Sequence, residues 1–350
     1  MSDVLQRAKE TVLHFYQCID DACDEQIDWV INEYCCDSYH WRGCHPFNEL
    51  AAHDVSKTFW QPLKTAFRHL QRRQDVFIAG LNQVEDNDKQ TGDEKTVWVV
   101  SMGHLMGLFD NDWLGIPRTG RMAFLRYCEF TEVDVTQLGG GKILQSAMFV
   151  DIPGVMVQAG VNPFPPQTGA QLIQPGPMTH QGLALETQSP SESEKTLALI
   201  NKMISDLGNW DNRLSLEDEL AQTWHDDMIW WGPTGIGASY TIERYIKQHS
   251  GVFRASFSER IFNGHICKFA EGQFGGFFGW PNLSLKPIGG FMGMAASEQF
   301  YDMRVVDIYR RDGEKLAENW VFIDLLYFFS QQGIDILSRQ KTLSPAKQTN

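Results

Sequence analysis

Asp37-Ser38-Tyr39-His40-Trp41-Arg42-Gly43, followed by Phe59-Trp60-Gln61-Pro62-Leu63-Lys64-Thr65-Ala66-Phe67, returns later in the chain as Asp226-Asp227-Met228-Ile229-Trp230-Trp231-Gly232, followed by the stretch from Tyr245 to Phe257 (YIKQHSGVFRASF). With Trp41 set on Trp231, the pairs Asp37–Asp227 and Phe67–Phe257 share the same offset of 190 residues. Self-similarity at a fixed spacing marks a duplicated structural unit. Working outward, Gly115–Phe130 lies against Gly293–Ile308 at an offset of 178, which pairs Arg126 with Arg304 and Glu129 with Asp307. Gly141–Val161 lies against Glu314–Ile334 at an offset of 173, which pairs Asp151 with Asp324. The shrinking offset assigns the longer loops to the first copy, at Glu85–Glu94, around Asp110–Trp113 and at Gly139–Gly141.

Each copy opens with apolar residues at helical spacing (Val12, Phe15, Tyr16, Ile19; Leu197, Ile200, Met203, Ile204, Leu207). Each then changes to β-rich segments: 76–79, 96–102, 122–130 and 144–151 in the first, 304–309 and 316–322 in the second. Helices followed by strands predict an α+β class, with helices lying on a curved, mainly antiparallel sheet. At 350 residues and 43% hydrophobic content the chain can build two such cores. The reading places domain 1 at residues 1–165, a Pro/Gly/Ser-rich linker at 166–192, domain 2 at 193–340 and a polar tail at 341–350. Residues Thr187–Glu194 read as disordered, whereas Phe164–Leu183 carries enough apolar side chains to pack across a domain surface.

A net charge of −14 opposes nucleic-acid binding, which needs clustered Lys and Arg. The short run Arg68–Arg73 reads as a solvated helix face. No apolar run approaches the roughly 18 residues of a membrane span, and the first ten residues carry no apolar signal core. Seven scattered cysteines make a poor disulfide framework and fit a reducing compartment, so the expected location is cytoplasmic. Cys35, Cys36, His40, Cys44 and His45 match no zinc spacing, and Gly139-Gly140-Gly141-Lys142 lacks the rest of a phosphate-binding loop. No metal or cofactor is expected.

Gly115-Ile116-Pro117-Arg118-Thr119-Gly120-Arg121, then strand–turn–strand, then Phe149-Val150-Asp151 leading to Gln158-Ala159-Gly160, resembles the SnoaL-like polyketide cyclases of the nuclear transport factor two-like superfamily. The second copy repeats the ending as Asn319-Trp320…Asp324 leading to Gln331-Gln332-Gly333, and adds Trp231-Gly232-Pro233-Thr234-Gly235-Ile236-Gly237. The resemblance covers most of both halves and leaves out the linker. It implies two tandem cone-shaped domains, each enclosing an apolar pocket, and an aspartate before the closing helix that acts as acid and base in an aldol-type ring closure without a cofactor. The matching positions are Asp151 and Asp324. It also implies a histidine in the strand before the Gly-x-Pro-x-Thr-Gly turn, where His104 stands. The second copy has Trp280-Pro281-Asn282-Leu283 at that place, so domain 1 is the expected catalytic copy. Domains of this kind associate through their sheets, which implies an internal pseudo-dimer or a homodimer.

The expected catalytic residues are therefore Asp151, His104 and Asp324. Trp41, Phe67, Trp113, Trp231, Phe257 and Trp320, with Arg126 and Arg304, are expected around a small apolar or aromatic ligand. Strand alternation puts Ala147, Phe149 and Asp151 on one face, and burial there can raise a carboxyl pKa by up to roughly 3–5 units, enough for a general base near neutrality. The competing reading of both aspartates is a helix N-cap, and that of Arg126 and Arg304, each with an acid three residues later, is a structural ion pair. Function divides accordingly between a cyclase-, lyase- or isomerase-type acid–base enzyme, a related dehydratase or hydrolase, and a module that binds an apolar ligand or dimerises without chemistry.

Overall fold

The computed structural model describes residues 2–84, 97–136, 141–208 and 214–339. The loop expected at Glu85–Glu94, residues 139 and 140 of the glycine run, and the tail from 341 onward lie outside the described residues. Domain 1 begins with α1 (Ser2–Asp21) and α2 (Asp24–Tyr34). Then come β1 (Cys35–Gly43), β2 (Asn48–Ala51), α3 (Ala52–Val55), a π-helical turn (Ser56–Trp60), α4 (Gln61–Ala66), β3 (Phe67–Leu81), β4 (Val97–Phe109), β5 (Met122–Asp134), β6 (Lys142–Val150) and α5 (Ile152–Gln158). Its six strands are ordered β2-β1-β6-β5-β4-β3, antiparallel except for the parallel β1–β6 pair. Ala8, Val12, Phe15 and Ile19 form the buried stripe of α1, which packs on β3, β4 and β5. The basic run Arg68–Arg73 lies in strand β3, not on a helix face, because the helix ends at Ala66 and the chain pairs with β4 from Phe67 onward.

Domain 2 repeats the plan with α6 (Pro190–Gly208), α7 (Leu216–Ala221), β7 (Trp224–Trp231), β8 (Ala238–Tyr240), α8 (Ile242–Tyr245), a second π-helical turn (Ile246–Ser250), α9 (Gly251–Ala255), β9 (Phe257–Phe262), β10 (Cys267–Glu271), β11 (Phe274–Pro287), β12 (Tyr301–Asp312), β13 (Lys315–Ile323) and α10 (Leu325–Ser330). The sheet runs β10-β11-β12-β13-β7-β8, with β9 also paired to β11 and β13–β7 parallel. The chain is thus two tandem α+β domains, as the duplication predicts. Among the described residues no helix is long and apolar enough to cross a membrane.

The repeat needs one correction of register. Trp41 lies opposite Ser146, and the residue opposite Asn319, the counterpart of Ser146 at the 173 offset, is Trp230 rather than Trp231. Both indole rings fold over a following glycine. A Cβ on Gly43 would collide with the Trp41 ring, and one on Gly232 would collide with the Trp230 ring. A slip of one residue in a strand exchanges its two faces. Trp231 consequently belongs to the outer face of its sheet, and Trp230 occupies the interior position expected of Trp231.

The segment between the domains is ordered against both. Phe77 donates its N–H to the Gly182 carbonyl and accepts from Ala184, Gln174 reaches the Gly232 carbonyl, and the Trp320 indole reaches the Pro175 carbonyl. Thr187–Glu194, read as disordered from composition, holds the Gln188 N–H on Glu271 and the start of α6 at Pro190. Its backbone groups find partners on domain 2, which is what the composition could not register.

Candidate functional site

Strand alternation gives each sheet two rows of side chains. In domain 2 the inner row of β12 is Met303, Val305, Asp307 and Tyr309, and that of β13 is Asn319, Val321 and Ile323. These rows, with Met203 and Leu207 of α6, Trp230 of β7 and Tyr245 of α8, enclose a cavity of about 330 Å³. Its walls are mostly apolar. One polar cluster centres on a carboxyl: Asn319 donates through Nδ2 to Asp307 at 3.2 Å, and the Tyr309 hydroxyl donates to the same group. Burial pushes the Asp307 pKa up to about 6, against the opposing pull of those two hydrogen bonds. Tyr309 and Tyr245 are held as neutral phenols, raised first by burial and then by the neighbouring Asp307 carboxylate.

An acid that prefers to be protonated in the folded state weakens the fold once it ionises. The Asp307 contribution is fully present below its ordinary value of 3.8 and is lost as pH rises through about 6. Asp307→Asn is therefore expected to stabilise the protein at pH 8 by on the order of 2 kcal/mol and to leave it unchanged at pH 3.5. Urea unfolding at the two pH values checks both halves.

The equivalent interior of domain 1 is filled. Arg72 and Phe262 are counterparts, since Arg72 pairs with Leu105 and Phe262 pairs with Leu283, residues related by the 178 offset. The Arg72 guanidinium lies 3.8 Å from the Tyr16 ring centroid and 5.1 Å from that of Tyr127, and pairs with Asp20 at 3.0 Å and Glu129 at 3.8 Å. Glu129, the counterpart of Asp307, also accepts from the Tyr16 hydroxyl at 2.8 Å. In domain 2 the side chain of Phe262 is instead half exposed at the cavity edge. The described cavity therefore lies in domain 2, whereas domain 1 was the expected catalytic copy: the arginine that fills one cone has an outward phenylalanine as its counterpart in the other.

The expected catalytic set lies elsewhere. Asp151 caps α5 through Gly154 N–H (3.0 Å) and accepts from the Thr234 N–H (3.0 Å) and hydroxyl (2.8 Å) of domain 2. Asp324 caps α10 through Tyr327 N–H (3.1 Å) and accepts from His45 N–H of domain 1 at 3.0 Å. Each aspartate therefore closes its own helix and ties to the other domain, and neither lines the cavity. Arg126 donates to the Val321 and Trp231 carbonyls across the domain boundary, and Arg304 lies between the rings of Trp280 and Tyr327 and reaches Asn48. His104 pairs directly with Arg126 across the β4–β5 ladder, so it shares that outer face, 3.5 Å from Asp75. Trp320 and Trp231 are on the outer side as well. Phe257 packs with Phe253, Phe291 and Phe328 outside the cavity wall. Trp41, Phe67 and Trp113 do come together, around Phe47 and Phe59 in the core of domain 1.

The residues that gather at the cavity were missed for a traceable reason. Arg304 and Asp307 read as a structural pair three residues apart, but positions i and i+3 of a strand point to opposite faces. That rule alone would have separated them. Among the described residues no group of three His, Cys, Asp or Glu side chains is placed to hold a metal ion.

No protein-family model and no curated protein matches the sequence. Among solved structures, the chain is similar to a candidate SnoaL-like polyketide cyclase from Shewanella putrefaciens CN-32, at 19% identity and a TM-score of 0.33 over 42% of this chain and 98% of that one. It is similar to another candidate SnoaL-like polyketide cyclase, from Jannaschia sp. CCS1, at 18% identity and a TM-score of 0.31 over 47% of this chain and 98% of that one. An NTF2-like protein from Burkholderia xenovorans LB400 matches at 11% identity and a TM-score of 0.31 over 39% of this chain and 95% of that one.

Proposed function

We propose that the domain-2 cavity is the active site of a cofactor-free acid–base enzyme, which takes a proton from the carbon beside a carbonyl of a small, largely apolar compound, as an aldol-type ring closure requires. The observation that carries this reading is a single buried carboxyl, Asp307, with a pKa of about 6 in an apolar cavity of about 330 Å³. Near neutrality Asp307 is mostly ionised and can accept the proton. It is also basic enough to hold that proton and return it, to carbon or to the new alkoxide. Asn319 and Tyr309 fix the carboxyl so that it faces the ligand rather than rotating away.

Domain 1 serves in this reading as a buttress. The outer faces of the two sheets meet through Phe130 against Phe278 (4.9 Å between ring centroids) and Phe149 against Trp280 (5.6 Å), and each capping aspartate reaches a loop of the other domain. These contacts support an internal pseudo-dimer.

The test uses 2-tetralone, an apolar ketone with acidic C1–H bonds, in D2O with NMR detection. The protein is expected to speed C1 deuterium exchange above the buffer rate, rising with pH and levelling above about 6, and Asp151→Asn is expected to retain that activity. No exchange above buffer, or loss with Asp151→Asn at unchanged folding, overturns the assignment.

A further inference from the structure

The helices that open the two domains start at Ser2 and Pro190, an offset of 188 residues. That offset sets the buried Ala8, Val12 and Phe15 on the buried Thr196, Ile200 and Met203, and it makes Ile204 the counterpart of Tyr16 and Gly208 that of Asp20. The Arg72 network of domain 1 therefore translates residue by residue. Arg72 becomes Phe262, and its neighbours Tyr16, Asp20, Tyr127 and Glu129 become Ile204, Gly208, Val305 and Asp307. All five counterparts line the domain-2 cavity. Tyr16 is buried beside Arg72, whereas Ile204 is partly exposed. The second copy has thus lost the cation, both phenol rings around it and one of its two acids, and has kept the other acid. Its cavity stands where the first copy holds an arginine.

A carboxylate in so apolar a place needs a positive charge beside it or its proton back. Among the described residues Asp307 forms no ion pair, and the groups that bond it are the neutral Asn319 and Tyr309. The charged groups elsewhere in the wall are matched or distant. Arg254 is joined to the buried Glu219 at 2.5 and 3.2 Å. Arg260 donates to the Leu207 and Gly208 carbonyls. Its backbone is level with Leu285 and Tyr301, six residues (307 − 301) or roughly 20 Å along the sheet from Asp307. Burial pushes the pKa of both His249 and His265 down to about 3, so these rings are neutral.

We infer that the domain-2 cavity binds an apolar organic cation, a protonated amine or amidine on a flat hydrocarbon body, whose charge stands against Asp307 as the Arg72 guanidinium stands against Glu129. Trp230, Tyr245, Phe277 and Tyr309 supply aromatic rings to such a ligand. Domain 1 shows the same combination, since its guanidinium lies 3.8 Å from the Tyr16 ring centroid and 3.8 Å from the Glu129 carboxylate. The inference needs Asp307 ionised and involves no proton transfer. It therefore goes beyond the acid–base reading, and makes the cation a competitor of the ketone for one cavity.

The experiment compares 2-aminotetralin, an ammonium ion at neutral pH, with tetralin, which has the same bicyclic body without the charge, by quenching of tryptophan fluorescence in the full-length protein. At pH 7.5 wild type is expected to bind the amine at least about tenfold more tightly. That preference should fade as pH falls through about 6, where Asp307 takes up its proton, while tetralin affinity stays constant. Asp307→Asn is expected to abolish the preference and leave tetralin within about twofold of wild type. Asp307→Glu, which installs the acid that domain 1 carries, is expected to keep it. No preference in wild type overturns the inference. So does a preference that survives in Asp307→Asn, which would trace it to the overall acidity of the chain. Exchange of 2-tetralone separates the two claims: exchange without an amine preference sinks the cation site alone, and an amine preference without exchange sinks the acid–base reading alone.

Discussion

Asp307→Asn is expected to lower the rate of 2-tetralone exchange by about 10²–10⁴-fold, the usual contribution of a positioned general base. Asparagine keeps the shape and the hydrogen-bonding partners of the carboxyl, so tetralin affinity is expected to stay within about twofold of wild type. What it cannot do is accept a proton. The residual exchange should lose the rise toward pH 6 seen in wild type, because the group whose titration sets that rise is gone. Exchange within threefold of wild type, with the cavity still binding tetralin, would remove Asp307 from the mechanism. Together with the stability gain expected of the same variant at pH 8, this substitution separates function from fold.

Breaking the ion pair between Lys9 and Glu271 is expected to have the largest effect on stability. The pair is closed at 2.6 Å with side chains 0% and 2% exposed, and it joins α1 of domain 1 to β10 of domain 2. Lys9 also donates to the Ala184 and Glu186 carbonyls, and Glu271 accepts from the Ala79 and Gln188 N–H groups, so the linker is held by the same two side chains. Burial lowers the Lys9 pKa and raises that of Glu271 despite their mutual attraction, which places the desolvation cost above the Coulombic gain for each. Such a pair is costly to break singly and cheap to replace whole. Glu271→Leu or Lys9→Met alone is expected to cost about 3–5 kcal/mol, because each leaves a buried charge uncompensated. The double variant is expected to recover most of that loss in urea unfolding. Additive losses in the double variant would show that the pair acts through packing rather than charge.

The duplication was legible because it rests on large aromatic and charged residues whose order survives in both copies, and it carried the α+β class with it. The site was less legible, and particular residues show why. The doublet Trp230-Trp231 offers two registers for Trp41, and only the glycine under the ring and the pairing with Asn319 select Trp230. Asp151 and Asp324 were correctly placed before helices, but whether an N-cap also faces a cavity depends on which side of the sheet the helix leaves from. Here both leave on the side of the partner domain. Asp307 stood in the repeat alignment as the counterpart of Glu129, and its difference from Glu129 depends on Arg72, a residue distant in sequence that fills one cone and not the other.

The proposed chemistry depends on the state of one carboxyl, and the most direct measurement is the titration of Asp307 by carboxyl 13C NMR, with the resonance assigned by its loss in Asp307→Asn. A midpoint of about 6 that coincides with the midpoint of the exchange rate and shifts when 2-tetralone is added is the expected result. A midpoint near 4, in the ordinary carboxylate range, that does not respond to 2-tetralone would contradict the assignment of this cavity as the site of acid–base chemistry.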